Sequence, residues 1–153
     1  MGNICNFAYD PINYEHLRAL NVIPDLFLDS LTEDDTSLIQ FGLGGIANCC
    51  SDTVNAILII ENDGISSICS FLSHSDYNIV LNTLTALVSL LDSSHSYTDL
   101  ILQKLEKDIT QSVLSCIKKF TTSELIVLKN LAFICLEYYS EIFHSATKSL
   151  ETI

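Results

Sequence analysis

Residues 2–13, GNICNFAYDPIN, and residues 44–55, GGIANCCSDTVN, are two copies of one segment. Sliding the chain along itself until Gly2 falls on Gly44 also puts Ile4 on Ile46, Asn6 on Asn48, Asp10 on Asp52 and Asn13 on Asn55. Further along, Leu17 falls on Ile59, Asn21 on Asp63 and Ile23 on Ile65. The second copy is internal, so the first reads as the end of a helix in the same kind of unit. The first copy also resembles a lipid anchor, with Gly2 and Cys5 as acyl sites. A myristoylation site wants Ser or Thr at the sixth position and finds Asn6. One acyl chain binds membranes only marginally without a second signal, and Arg18 is the sole basic residue before Lys104. The repeat is therefore the preferred reading of the opening, and no membrane partner is expected.

At 153 residues the chain is one domain or a short repeat array, long enough to bury a core. Nearly half of its residues are hydrophobic, and Gly and Pro are few, so its composition points to helix packed on helix. The six cysteines form no CxxC pair, and His16, His74, His95 and His144 supply no metal-ligand spacing, so neither metal nor cofactor is expected. Net charge is −12 and uneven: residues 1–103 hold 13 acids against one base, while residues 104–153 hold six of each. An acidic front disfavours nucleic-acid phosphates and favours a basic protein partner. The lysines Lys104, Lys107, Lys118, Lys119 and Lys129 could meet RNA backbone, or simply be solvated.

Spacing and capping residues predict helices in a short, short, long order. Asp10-Pro11 opens one over 13–20, because Asp caps and Pro suits a first turn. A second covers 24–31. The acidic run TEDD at 32–35 is expected as cap and first turn of a long helix ending near Cys50. The triplet recurs at 53–61, 65–72 and 76–91, then at 97–104, 109–120 and 123–139. Residues 141–153 are expected as a helix end or tail.

A period of about 42 residues is that of armadillo or HEAT solenoids. The segments NVIPDLFLDSL and NDGISSICSFL resemble the Gly-x-Ile-Pro-x-Leu second helix of the armadillo repeat family, as does the Asn near the end of each long helix. The implied fold is an all-α, right-handed armadillo solenoid over residues 1–140 with about three repeats. Its parts are a first-repeat remnant at 1–10 and repeats at about 11–51, 52–92 and 93–140. One member of the family is similar in carrying the stretches NFAYDP and DLFLDSL in the same order, and KNLAFICLEYY resembles its last helix. That resemblance implies a nuclear, spliceosome-associated scaffold acting with a basic RNA-recognition-motif protein in pre-mRNA splicing, around the minor spliceosome, with any RNA contact indirect. A cytoplasmic armadillo adaptor that binds a basic protein or peptide is the alternative.

No residue set nominates an enzyme. The only glycine cluster, FGLGGIAN at 41–48, lacks the strand and the Lys-Ser or Lys-Thr of a phosphate loop. Glycines inside a helix imply close approach, either within the fold or by a partner. Glu15 and His16 are adjacent and point to different helix faces, so they do not form an acid–base pair. The long helices of such a solenoid line its concave face. The groove is expected to carry Asn6, Tyr9, Phe41, Gly45, Asn48, Asn82, Thr85 and Ser89. Gly45→Leu is expected to weaken partner binding. The importin-like branch adds a Trp one turn before each Asn. Here those positions are Gly2 and Gly44, Thr85 and Ser89 stand in the next copy, and the chain has no Trp.

Overall fold

A computed structural model describes the backbone of residues 2–150 and the side chains of residues 4–143. Among the described residues the chain is helical throughout, with no strand. The α-helices are α1 (Gly2–Phe7), α2 (Tyr14–Ala19), α3 (Thr36–Cys49), α4 (Thr53–Glu61), α5 (Gly64–Cys69), α6 (Tyr77–Asp92), α7 (Asp99–Asp108), α8 (Gln111–Phe120) and α9 (Ile126–Leu150). The helices α1, α3, α6 and α9 lie side by side in that order, each packed on the next. The shorter helices pack behind them: α4 against α7 and against residues 23–28, α5 against α6, and α8 against α9. Helix α1 occupies the place that a long helix takes in each later unit.

The local chemistry repeats with the sequence. Asp10, Asp35, Asp52 and Asp76 each cap a helix, the Asp35 carboxylate accepting from Ser37 N at 2.7 Å and that of Asp76 from Asn78 N at 2.7 Å. An N-cap side chain satisfies an amide that the helix leaves unbonded. Asn21 and Asp63, equivalent in the two copies, both turn the chain with positive φ, at 50° and 57°. Their short polar side chains tolerate that left-handed conformation. The Asn13 amide donates to Phe7 O at 2.9 Å and the Asn55 amide to Cys49 O at 3.1 Å, the same bond one repeat on. In the following repeat Tyr97 makes the matching bond, its hydroxyl donating to Leu90 O at 2.8 Å.

The helix expected over 24–31 is instead a π-helical segment, Ile23–Leu28, followed by a 3₁₀ turn, Asp29–Thr32. The sequence offset explains it. Ile23 and Ile65 keep the spacing of Gly2 and Gly44, whereas the caps Asp35 and Asp76 stand one position closer together. The first repeat carries one extra residue between these points, and a π turn holds an extra residue. In the second repeat the equivalent stretch is ordinary α5 and a short 3₁₀ turn, Ser70–Ser73. Only Asp35 of the acidic run caps α3, while Glu33 and Asp34 lie in the connection before it. Of the two readings of 141–153, helix end or tail, helix α9 gives the first as far as Leu150, because nothing in 126–150 breaks a helix, and residues 151–153 lie outside the described residues.

The core is continuous from Ile23 and Phe27 through Leu43, Ile46, Ile59 and Ile60 to Leu84, Leu87 and Ile117, all closed to solvent. Each such side chain contributes about 1.5–3 kcal/mol on burial. Two glycines let the extra π turn seat on α3. A Cβ on Gly45 would run into the ring of Phe27, and one on Gly42 into Ser30 Oγ and Phe27 O. Close approach within the fold is thus the reason for these two glycines.

Candidate protein-binding groove

The row of long helices forms a groove of about 590 Å³ on its open face. Helix α1 contributes Cys5 and Asn6, and α6 contributes Asn82. Ser37, Leu38, Gln40, Phe41, Gly44 and Asn48 come from α3, with its cap Asp35 at one end. The α3 residues fall at spacings of three and four, so they share one face of the helix. Gly44 is the floor, and a Cβ there would stand 3.1 Å from Cys5 Sγ and 3.4 Å from Asn82 Nδ2. The groove is therefore flanked by amides from three successive long helices.

Asn48 is tied into the scaffold. Its Nδ2 donates to Cys5 O at 3.0 Å, and its own carbonyl accepts from Tyr14 Oη at 3.1 Å. The Nδ2 bond runs back to the preceding long helix. It holds α1 against α3. Among the described residues, Asn6, Gln40 and Asn82 make no side-chain hydrogen bond, so their amides are available to a ligand's backbone. Burial pushes the Cys5 thiol above its usual range, which keeps it neutral.

Of the residues expected in the groove, the structure brings together Asn6, Phe41, Asn48 and Asn82. Phe41 is nearly buried, set edge-on to Phe27 with ring centroids 5.6 Å apart, and closes one wall. The other four lie elsewhere. Gly45 faces inward beneath Phe27, which corrects its placement in the groove: Gly45→Leu would strike the core before any partner. Tyr9 is 75% exposed on the turn after α1, outside the groove lining. Thr85 Oγ1 donates to Leu81 O at 2.8 Å within α6, and Ser89 lies against the Cys50 thiol; neither lines the groove. Sequence reasoning missed Cys5, Asp35, Ser37, Leu38, Gln40 and Gly44. Counting back from Asn48 by four, eight and eleven positions along α3 would have found Gly44, Gln40 and Ser37.

Among the described residues the groove's only charged lining residue is Asp35, and no base lines it. The sole base of the front half, Arg18, is occupied elsewhere: it pairs with Asp52 at 3.0 Å and donates to Asn55 Oδ1 at 2.7 Å, joining α2 to α4. Glu15 and His16 are exposed on α2, away from the groove. Among the described residues no group of His, Cys, Asp or Glu could hold a metal ion, and no single helix is long and apolar enough to cross a membrane. What the groove offers is hydrogen-bonding amides, an apolar wall and negative charge.

No family model matches the chain. It is 39% identical over 138 residues to mouse Armadillo repeat-containing protein 7, a match spanning 90% of this chain and 65% of the mouse protein. The chain thus spans just under two thirds of that relative's length. Its backbone superposes on a designed armadillo repeat protein with a TM-score of 0.75 at 18% identity, over 88% of this chain and 54% of that one. An engineered protein of known crystal structure gives 0.74 at 16% identity, over 88% of this chain and 52% of the other.

Proposed function

Because the chain folds as an armadillo-type solenoid, we propose that it works by holding a protein partner in the groove of α1, α3 and α6, and not by catalysis. The observation that carries the reading is the groove itself: amides from three helices, an apolar wall and, among the described residues, no base. Negative potential over the front of the molecule draws a basic partner and speeds its encounter. The partner we propose is a basic RNA-recognition-motif protein, with the pair serving pre-mRNA splicing around the minor spliceosome in the nucleus. That narrower part rests on the resemblance carried by NFAYDP, DLFLDSL and KNLAFICLEYY. RNA contact would then belong to the partner, since 13 acids against one base across residues 1–103 repel phosphate.

The test is affinity purification of the tagged protein from nuclear extract, at low and moderate salt, with protein and RNA both identified. Recovery of an RNA-recognition-motif protein together with minor-spliceosome small nuclear RNA is the expected result. Loss of RNA but not of protein in moderate salt would place the RNA on the partner. Recovery of cytoplasmic proteins alone would replace this reading with that of a cytoplasmic adaptor.

A further inference from the structure

Helix α9 packs on α6 and α8. The side it buries carries Leu128, Ala132, Cys135 and Tyr139, spaced by four, three and four. Two positions along a helix is a rotation of about 200°, so residues 126, 130, 133 and 137 form the opposite side. That side is open: Ile126 is 71% and Phe133 52% exposed, and Val127 and Ile134 beside them are exposed too. Lys129 and Glu137 stand about one turn before and one turn after Phe133. Both are exposed, and neither enters an ion pair among the described residues. We propose that this side of α9 is the seat of a second copy of the chain, the two α9 helices crossing antiparallel at Phe133 to make a two-fold dimer.

Large apolar side chains exposed together on one face of one helix form a patch of the kind that marks an interface. The charges beside it say what covers it. Each residue of a helix rises about 1.5 Å, so Lys129 lies about 6 Å to one side of Phe133 and Glu137 about 6 Å to the other. A second α9 turned end for end, with its own Phe133 at the crossing, brings its Glu137 level with Lys129 and its Lys129 level with Glu137. The face therefore complements itself in charge as well as in apolar contact, which is what a two-fold contact requires. Parallel helices would instead set Lys129 against Lys129 and Glu137 against Glu137. The opposed signs at equal distance from Phe133 favour a second copy over an unrelated partner. Such a contact closes at two copies and offers no place to a third. The seat also lies away from the groove, since α6 separates α9 from α3. A dimer presents two open grooves, and a partner carrying two binding segments would be held more tightly than by either groove alone.

The test is sedimentation velocity of the full chain from micromolar to submillimolar concentration. A monomer–dimer equilibrium is expected, its dimer fraction rising with protein concentration and falling as NaCl rises. Phe133→Glu should stay monomeric over that range, with an unchanged circular dichroism spectrum because the side chain is exposed. Lys129→Glu and Glu137→Lys should each weaken the dimer about tenfold, since every dimer contains the pair twice and each exposed pair is worth a few-fold. The double variant Lys129→Glu/Glu137→Lys should dimerise as well as the wild type, because each Glu again meets a Lys. Weakening by the single changes with recovery in the double variant is the signature of antiparallel pairing. A chain that stays monomeric at every concentration overturns the proposal, as does a dimer that Phe133→Glu leaves intact. Species that keep growing past two copies would show α9 docking on some other surface of the chain, and would refute the two-fold contact. A double variant as weak as the single ones would show that Lys129 and Glu137 do not face each other, and would refute it equally.

Discussion

Gly45→Ala and Gly44→Ala should move stability in opposite directions, although the two glycines are neighbours on one helix. A glycine-to-alanine change inside a helix gains about 1 kcal/mol from propensity alone. At Gly44 the added methyl stands 3.1 Å from Cys5 Sγ and 3.4 Å from Asn82 Nδ2, both movable side-chain atoms. About half or more of the propensity gain should survive, raising stability by about 0.5 kcal/mol. At Gly45 the methyl collides with the Phe27 ring, which is fully buried and held edge-on by Phe41. Overpacking a closed core costs about 1–3 kcal/mol, so the net change should be a loss of about 1–2 kcal/mol. In a chain of this size that lowers Tm by about 3–6 °C. Urea unfolding followed by circular dichroism measures both. Combining Gly45→Ala with Phe27→Leu should recover about 1 kcal/mol or more relative to the sum of the single changes, because the smaller side chain vacates the contact. The packing argument is refuted if Gly45→Ala is as stable as the wild type, or if both glycine variants shift the same way.

Four further expectations rest on the described contacts and burial. Asn55→Ala removes a fully buried amide that bonds Cys49 O and Arg18, and should cost about 2–3 kcal/mol in urea unfolding. Its counterpart Asn13→Ala, half-buried, should cost less than about 1 kcal/mol. Burial pushes the Cys50, Cys69 and Cys135 thiols from 9.0 up to about 12, and raises Cys49 further. The folded chain therefore keeps protons that the unfolded chain releases above about pH 9. Stability should fall as pH rises from 9 toward 12, by up to about 1.4 kcal/mol per pH unit for each thiol, and a flat urea midpoint over that range would contradict it. At neutral pH the same four thiols should resist iodoacetamide in the folded protein, while the half-buried Cys116 reacts first, as intact-mass spectrometry would show. Asp35→Ala should cost about 1 kcal/mol through loss of the α3 cap, measured by thermal melting.

The all-α solenoid, its period and its long helices were legible in the residues, because apolar spacing, capping aspartates and the Asn13–Asn55 match are local signals that repeat. The left-handed turn positions Asn21 and Asp63 were paired by the same shift. The π turn was hidden because it is a defect in the period: the offset shortens by one position between Ile23 and Asp35, and one missing step does not say which backbone absorbs it. The site was half legible. Asn6, Phe41, Asn48 and Asn82 come together as expected from their places on long helices. Gly45 does not, because sequence shows that a glycine permits close approach and not which side the approach comes from.

By itself, then, the sequence determined that this is an array of short, short and long helices with an acidic front, since periodicity, caps and charge count need no third dimension. Tertiary structure alone decided what each of those residues faces. Phe27 claims the space over Gly45, Asn48 spends its amide on Cys5 of the neighbouring helix, and Leu26 meets Leu38 and Phe41 to wall a slot. Each of these contacts joins residues of different elements, far apart along the chain. Only the packing of one helix on the next brings them within contact distance.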